Sequence, residues 1–437
     1  MTGILRGVVP LVALVGCLGA LTVGAADTEE ATLKKLKELN KVTGNEALQG
    51  ALKVLLDDKV SAKQLVAAAL PLAREKKNAL SYNAALVLAA VSADMKDLAN
   101  SEIFYRICMA QAAKLQSTLK IAESYVGLIE LYDENKKYDE SARICQELLE
   151  LKTDDGKPRI VLTAYITKFG DVDFKEDEAF DTASRLRPGV HRLLIQAVAK
   201  QGKYDKALEL IDNLLKARDH WGERQLKGWV LRQAGKYEEA AKVYEDVIDR
   251  ISKDKELEPE KKELDVERCR YILSNVFLDM GKIDLASEQL QQLLAKKPDH
   301  PGYNNDLGYI WADNGIKLDE AEKMIRKALE LDSKRRQANP KLLPKDNHDN
   351  GAYLDSLGWV LFKRGRFEEA KKILLEAVKD KASQHIEIFD HLGDVHLKLG
   401  EKAEAVAAWR KGLDFVGEDR RELERKAIVE KKIEQNK

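Results

Sequence analysis

A short phrase, a glycine followed after a brief gap by an alanine, recurs six times between Gly202 and Ala405. Typical copies read GKYDKA, GKYEEA, GKIDLA and GRFEEA. The alanines follow one another at steps of 33, 46, 35, 49 and 35 residues, and they are Ala207, Ala240, Ala286, Ala321, Ala370 and Ala405. A repeat of about 34 residues is typical of stacked helical hairpins, none of which buries its apolar face without its neighbours. The chain is therefore predicted to be all-α.

Each copy is predicted to form a helix, a tight turn and a second helix. The turn glycine suits the end of the first helix, because a left-handed backbone is unfavourable for other residues. The alanine and the residues four and seven positions later fall on one face of the second helix. Two steps are long because of inserts near 251–264 and 333–350. A second glycine stands seven residues before the turn in four copies and indicates a close helix crossing, at Gly228, Gly308, Gly358 and Gly393.

The clearest copies lie between residues 190 and 413 and include DSLGWVLFKRGRFEEAKKILLEA and HLGDVHLKLGEKAEAVAAWRKGL. They resemble the tetratricopeptide repeat (TPR), with glycine in the first helix, an apolar residue after the turn and alanine three positions later. Pro298 also stands where that repeat places a proline, whereas Lys402 replaces the usual aromatic residue. The C-terminal copies look like those of bacterial envelope TPR proteins, many of which are outer-membrane lipoproteins. The resemblance implies a right-handed α-solenoid of TPR hairpins that binds a protein or peptide partner.

In TPR proteins the first helices line a concave groove through repeat positions 2, 5, 9 and 12. Counting the mid-helix glycines as position 8 transfers this register to the present chain. The implied groove has aromatic residues and, towards the C-terminus, carboxylates, which suits a basic or apolar peptide. The alternative interpretation is that the large aromatics, Trp229 and Trp359 above all, pack between hairpins. The candidate partner-binding residues are Gln225, Trp229, Arg232, Tyr271, Asn275, Asn305, Tyr309, Asp355, Trp359, Phe362, Asp390 and Asp394.

Charge and motifs argue against other classes of function. The 73 basic and 74 acidic residues give a net charge of −1, whereas a nucleic-acid-binding protein needs a basic face. The basic run Lys334-Arg335-Arg336 is interpreted as a solvated loop. A phosphate-binding loop, a nucleophile elbow and the common metal-ligand spacings are missing from the sequence. We therefore expect no catalytic residues, no cofactor and no resident metal.

Residues 1–26 are predicted to be an export signal or anchor. Arg6 precedes an uncharged stretch that ends before Asp27. Three interpretations remain open: cleavage after Ala25, lipidation of Cys17 within a lipobox-like LVGC, or an uncut membrane anchor. All three place the bulk of the chain outside the cytoplasm, in a bacterial periplasm or envelope. Cys108, Cys145 and Cys269 are interpreted as small buried residues, although one disulfide remains possible.

The chain can be divided into segments according to whether the glycine–alanine phrase is absent, degenerate or clear. Residues 27–77 are predicted to form helices without it, and 78–188 to contain degenerate repeats with Ser101 and Ser141 in the alanine position. The dipeptide Pro188-Gly189 is predicted to be a turn that opens the clear array at 189–413. Residues 414–437 are predicted to be a charged capping helix with an apolar stripe. That stripe would consist of Leu423, Ala427 and Ile428.

Taken together, these features predict an exported, non-enzymatic scaffold or adaptor that holds a protein or peptide in its concave groove. The alternative is a structural or assembly lipoprotein of the bacterial envelope that binds through its convex face or its inserts. The sequence names neither the partner nor the oligomeric state.

Overall fold

The computed structural model describes residues 28–74, 79–115, 117–150, 179–339, 347–381, 383–417 and 420–436, and at 118–119 and 179–188 the backbone alone. Every regular element within these ranges is a helix. The predicted export segment 1–26, with Cys17, lies outside the described residues. Across the described ranges, no helix is both long enough and apolar enough to cross a bilayer.

The chain divides into two compact units, Met1–Leu226 and Lys227–Lys437. In unit 1, α1 packs on α3 and α2 on α4, and from α4 to α9 each helix packs on the next. The helices that begin in unit 1 are α1 (Glu29–Leu39), α2 (Asn45–Asp57), α3 (Lys59–Arg74), α4 (Tyr82–Asp94), α5 (Leu98–Lys114), α6 (Thr118–Glu134), α7 (Tyr138–Glu150), α8 (Ala179–Lys200), α9 (Tyr204–Ala217) and α10 (Trp221–Gln233), which contains the boundary.

Unit 2 continues with hairpins whose helices pack in sequence order. Its first helices also pack on one another, α14 on α16, α16 on α18, and α18 on the C-terminal helix. The helices are α11 (Tyr237–Lys253), α12 (Pro259–Asp279), α13 (Ile283–Lys296), α14 (Pro301–Asp313), α15 (Leu318–Gln337), α16 (Gly351–Lys363), α17 (Phe367–Ala377), α18 (Ile386–Lys398), α19 (Lys402–Gly412) and α20 (Arg420–Gln435).

The glycine of the repeat phrase makes the hairpin turn. All six turn glycines have φ between 68° and 80°, a conformation that other residues adopt only at an energetic penalty. At Gly365 the amide donates to the carbonyl of Phe362, and the next amide, of Arg366, donates to that of Leu361, both at 2.9 Å. These bonds satisfy the last carbonyl groups of the first helix. The six alanines of the phrase are completely buried.

The mid-helix glycines lie where the two helices of a hairpin cross. A Cβ atom on Gly308 would lie 2.9 Å from the carbonyl oxygen of Ala321 and 2.7 Å from Ile325 Cγ1. On Gly228 it would lie 2.8 Å from the ring of Tyr244. Contacts this short would push the second helix away, so the close crossing predicted from the repeated glycine is present.

Unit 1 keeps the same turn with different residues. Lys96 and Lys136 stand five residues before Ser101 and Ser141 and have φ of 60° and 58°. Both serines are completely buried, as the alanines are in the clear copies. The degenerate copies therefore form the same hairpin although they lack the glycine and the alanine.

Several local expectations are wrong. Pro188 and Gly189 lie within α8 rather than in a turn. Val190, Leu194 and Ile195 of this helix are buried, and such packing overrides the local preference against proline. The division into compact units falls inside α10, whereas the predicted bound at 188/189 separates degenerate from clear repeats and stays a prediction.

The long steps are taken up by longer helices. α12 and α15 have 21 and 20 residues, against 13 for α14 and α16. The basic run Lys334-Arg335-Arg336 is the last turn of α15, not a loop. Arg336 there pairs with Asp332 at 2.9 Å and with Asp349 at 2.6 Å, which ties the end of the insert to the helix.

The C-terminal helix closes the core of unit 2. Val429 and Ile433 of α20 form a buried cluster with Ile386 and with Trp409, which is completely buried. The stripe predicted for this helix is wrong, because Leu423 and Ile428 are 51% and 53% exposed. The spacing predicted a stripe of three residues, whereas the core packs Val429 and Ile433 from another side of α20.

Candidate partner-binding face

The first helices of unit 2 lie side by side and present one common face. We call the surface formed by α12, α14, α16 and α18 the first-helix face. It gathers the predicted residues from Tyr271 to Asp394, with Arg232 joining through its ion pair with Asp279 at 2.6 Å. Gln225 belongs to unit 1, where it is partly buried.

Part of the predicted site is packing. The ring of Trp359, 8% exposed, is stacked between His391 at 4.0 Å and Phe362 at 4.9 Å. Its Nε1 donates to Asp313 Oδ1 at 2.9 Å. Asn305 and Asp355 are 6% and 4% exposed. For Trp359 the structure favours the packing interpretation, because both faces of the indole are already covered.

Beside Trp359 lies a buried polar network. His391 Nδ1 lies 2.9 Å from Asp355 Oδ1, and the hydroxyl of Tyr309 donates to Glu387 Oε1 at 2.6 Å. Burial alone would lower the pKa of His391, but Asp355 and Glu387 raise it above its usual range. Burial would raise the pKa of Glu387, yet His385, His391 and Arg425 hold it well below its usual range. Each of these side chains therefore has a hydrogen-bond or charge partner within the network.

Basic side chains of α20 cover the carboxylates at the C-terminal end of this face. Arg425 pairs with Glu387 and, at 3.0 Å, with Asp390. Lys432 Nζ lies 2.6 Å from Asp390 and 2.7 Å from Asp394. Asp390 is 2% exposed, so α20 encloses a carboxylate that the register assigns to partner binding.

The start of α20 reaches back to α12, more than 140 residues earlier in the chain. Arg421 Nε pairs with Asp279 Oδ1 at 2.5 Å, and its Nη2 donates to the carbonyl of Asn275 at 3.2 Å. Asp279 also holds Arg232, and the guanidinium of Arg420 lies 5.7 Å from the ring centre of Tyr237. The predicted residues Arg232 and Asn275 thus belong to an intramolecular contact that we call the Arg421 latch.

The accessible part of the face lies around α12 and α14. Tyr271 is 38% exposed, and its hydroxyl donates to Asp306 Oδ2 at 2.8 Å. Its ring centre lies 5.8 Å from that of Tyr303, whose hydroxyl donates to Glu267 at 2.6 Å. Trp229 is partly buried. This aromatic patch is bordered by carboxylates and is accessible to a partner through Tyr271, whereas Tyr303 is buried.

Sequence reasoning missed the residues that organise the face. Asp279 stands four residues after the predicted residue Asn275, and Glu387 stands three residues before the predicted residue Asp390. Arg421, Arg425 and Lys432 belong to the segment that the sequence predicts to be a charged capping helix. Their spacing of four and seven residues along one helix side was the available signal.

Other chemistry finds little support among the described residues. In these ranges, no group of three or more histidine, cysteine or acidic side chains could hold a metal ion. Cys108, Cys145 and Cys269 are buried. Burial raises the pKa of the Cys145 thiol to about 12, so it is not an activated nucleophile.

Comparison with known proteins supplies the class. Family models described as "Tetratricopeptide repeat" match residues 192–255, 273–337 and 351–381. A TPR repeat-containing protein of Pseudomonas aeruginosa is 32% identical over 113 residues, which are 25% of this chain and only 16% of that protein.

Two of the solved structures similar to this chain are described as TPR proteins. One from Parabacteroides merdae has 11% identity, with 76% of this chain and 98% of that chain covered and a TM-score of 0.45. A thermophilic TPR protein from Thermus thermophilus has 19% identity, coverage of 48% and 98%, and a TM-score of 0.34.

The chain therefore contains tetratricopeptide repeats, as its phrase predicted. The predicted fold class, an all-α array of TPR hairpins, is confirmed by the described helices. Proteins built from such repeats generally mediate contacts between proteins, and they are typically scaffolds rather than enzymes.

Proposed function

We propose that this protein is an exported, non-enzymatic adaptor that binds a protein or peptide partner on the first-helix face of unit 2. The observation that carries the proposal is the aromatic patch around Tyr271, which is 38% exposed in a register position typical of partner contact. Tyrosine offers a large contact area together with a hydroxyl, and is common among binding hot spots. The surrounding carboxylates favour a partner segment that carries basic residues.

The test compares one aromatic pair with a matched exposed residue. Full-length protein and two variants, Trp229→Ala/Tyr271→Ala and Leu375→Ala, would be crosslinked in the native envelope, and the captured proteins quantified by mass spectrometry. Leu375 is 43% exposed but lies on α17, a second helix. We expect the aromatic variant to capture one specific partner at least about tenfold less than the unmodified protein. The Leu375 variant should capture it in the same amount, and the helicity of both variants should stay unchanged. Equal recovery from all three proteins would refute the proposal.

Export is proposed from the N-terminal sequence. Cleavage near Ala26 would give a soluble mature chain, and lipidation at Cys17 would give a membrane-anchored one. N-terminal sequencing of the mature protein, combined with metabolic fatty-acid labelling of the wild type and Cys17→Ala, distinguishes these outcomes. Recovery of the intact N-terminus in the cytoplasmic fraction would contradict export.

A further inference from the structure

The carboxylates of the first-helix face are arranged around cations that come from outside the repeats. Asp279 and Asp390 have side chains only 6% and 3% exposed, and each pairs with a cation of α20. Burial together with the neighbouring Asp390 raises the pKa of Asp394, and Lys432 opposes that effect. Buried like charges need a cationic neighbour, and α20 supplies it here through Arg421, Arg425 and Lys432.

The two ends of α20 are held in different ways. Val429 and Ile433, near its C-terminus, are 0% and 7% exposed within the core around Trp409. Near its N-terminus, the side chains of Arg420 and Arg421 are 57% and 46% exposed, and Leu423 is 51% exposed. Exposed ion pairs contribute little to stability and are screened by salt, whereas buried apolar side chains contribute more. The N-terminal half of α20 is thus the part that can be displaced.

We propose that α20 is a tethered occupant of the first-helix face, and that this face recognises a basic amphipathic helix of a protein partner. The partner helix displaces the N-terminal half of α20 and takes over Asp279, Glu387 and Asp390. This inference deepens the proposed function and rests on it for the identity of the binding face. Charge complementarity selects the occupant, because Arg421 and Arg425 of the displaced half both pair with these carboxylates.

The geometry of α20 describes the helix that the face accepts. Arg421 and Arg425 are four residues apart, Val429 follows after four more, and Lys432 and Ile433 complete the same side. Residues at such spacings project from one side of a helix. A helix that replaces the N-terminal half of α20 therefore carries two basic residues one turn apart, while Val429 and Ile433 of α20 stay in the core.

The test uses the full chain and a segment of the chain itself as the probe. A fluorescent synthetic peptide with the sequence of residues 420–436 would be titrated into wild type, Arg421→Ala/Arg425→Ala, and the control Lys426→Ala/Lys431→Ala. The control removes the same charge from other positions of α20, where Lys426 pairs within the helix with Glu430 at 3.8 Å. Arg421→Ala alone serves as a milder variant, because that side chain is largely exposed and its loss leaves the buried network intact.

We expect the peptide to bind the Arg421/Arg425 variant about tenfold more tightly than the wild type or the control, with Arg421→Ala intermediate. A peptide with glutamine at the positions of both arginines should lose that gain. Amide hydrogen exchange should report faster opening of residues 420–427 in the same variants. Opening without peptide binding, no opening, or equal binding to all proteins would each overturn the proposal. Since the probe is not the natural partner, failure of partner capture in the envelope is a separate result.

Discussion

The hairpins of unit 1 and unit 2 share one turn backbone but reach it with different residues. Unit 2 places a left-handed glycine in the turn of each glycine–alanine phrase and adds Lys317, with φ of 47°, between α14 and α15, whereas α4–α5 and α6–α7 of unit 1 have Lys96 and Lys136 at the glycine position. Unit 1 also buries Ser101 and Ser141 where unit 2 buries alanine. The comparison teaches that the hairpin geometry tolerates loss of the phrase, at a local energetic penalty that remains in unit 1.

The two units also differ in their electrostatics. In unit 2 a basic helix from the C-terminus covers carboxylates of the first-helix face, so burial and charge are paired. In unit 1 Glu130 lies near Asp133 and Glu134, and burial with these two charges raises its pKa to about 7. In unit 2 the cations of α20 thus neutralise the acidic cluster, whereas the carboxyl group of Glu130 in unit 1 lies near two like charges.

The largest expected effect separates the cores of the two units. Trp409→Ala and Phe104→Ala each remove a completely buried aromatic side chain and should lower the free energy of unfolding by about 3–5 kcal/mol. Only Trp409→Ala removes the surface on which Val429 and Ile433 pack. Amide exchange in α20 should therefore increase in Trp409→Ala and stay unchanged in Phe104→Ala. Protection of α20 in both variants would show that its apolar end is not its attachment.

The pH dependence of stability should differ between the units. A group whose pKa is higher in the folded than in the unfolded protein stabilises the fold through its protonated form. This contribution is complete below the unfolded-state pKa and is lost as the pH rises through the folded-state pKa. For Glu130 this loss runs from about pH 4.5 through about 7, so Glu130→Gln should stabilise unit 1 by about 2 kcal/mol at pH 8 and hardly at pH 4.

For His391 in unit 2 the loss begins near pH 6.5, where the unfolded side chain titrates. His391 faces Asp355, Glu387 and Arg425, so His391→Gln should destabilise unit 2 most at pH 6 and less at pH 9. Thermal unfolding across this range checks both variants. Parallel pH profiles for wild type and variants would contradict the assigned groups.

The turn residues can be exchanged between the units. Lys96→Gly and Lys136→Gly should each stabilise the protein by about 0.5–1 kcal/mol, because glycine adopts positive φ without strain. Gly365→Lys should destabilise it by a similar amount. Chemical denaturation measures all three. Destabilisation by the lysine-to-glycine changes would mean that the lysine side chains contribute contacts that outweigh the backbone strain.

The smallest effect distinguishes the two buried serines of unit 1. Ser101 Oγ donates to the carbonyl of Ala89 at 2.9 Å, whereas Ser141 Oγ has no hydrogen-bond partner among the described residues. Ser101→Ala should therefore lower the free energy of unfolding by about 1 kcal/mol, and Ser141→Ala should raise it by about 0.5–1 kcal/mol. Equal shifts of the two denaturation midpoints would show that Ser141 is satisfied by water.

How far the sequence predicts the molecule depends on whether a feature is local. The turn glycines and buried alanines follow from the phrase, because each acts within one hairpin. The register also located the first-helix face, although it could not tell that Trp359 is covered by His391, which comes from the next first helix.

Long-range contacts escape such reasoning altogether. The Arg421 latch joins residues 142 positions apart, and no periodic pattern reports on such a contact. The same holds for α20, whose sequence offers several apolar stripes and whose packing on Trp409 selects Val429 and Ile433. In α8, packing likewise carried the helix through Pro188-Gly189.

One measurement on the unmodified protein tests whether the first-helix face holds a helix by charge. Amide hydrogen exchange of α20 would be followed in about 0.05 M and about 1 M salt, a range over which exposed ion pairs become screened. Residues 420–427 should exchange faster than 428–435 and should accelerate further at high salt, while the end near Val429 and Ile433 stays protected. Amide exchange at one uniform rate along α20, with no change between the two salt concentrations, would contradict the claim that ion pairs hold its N-terminal half.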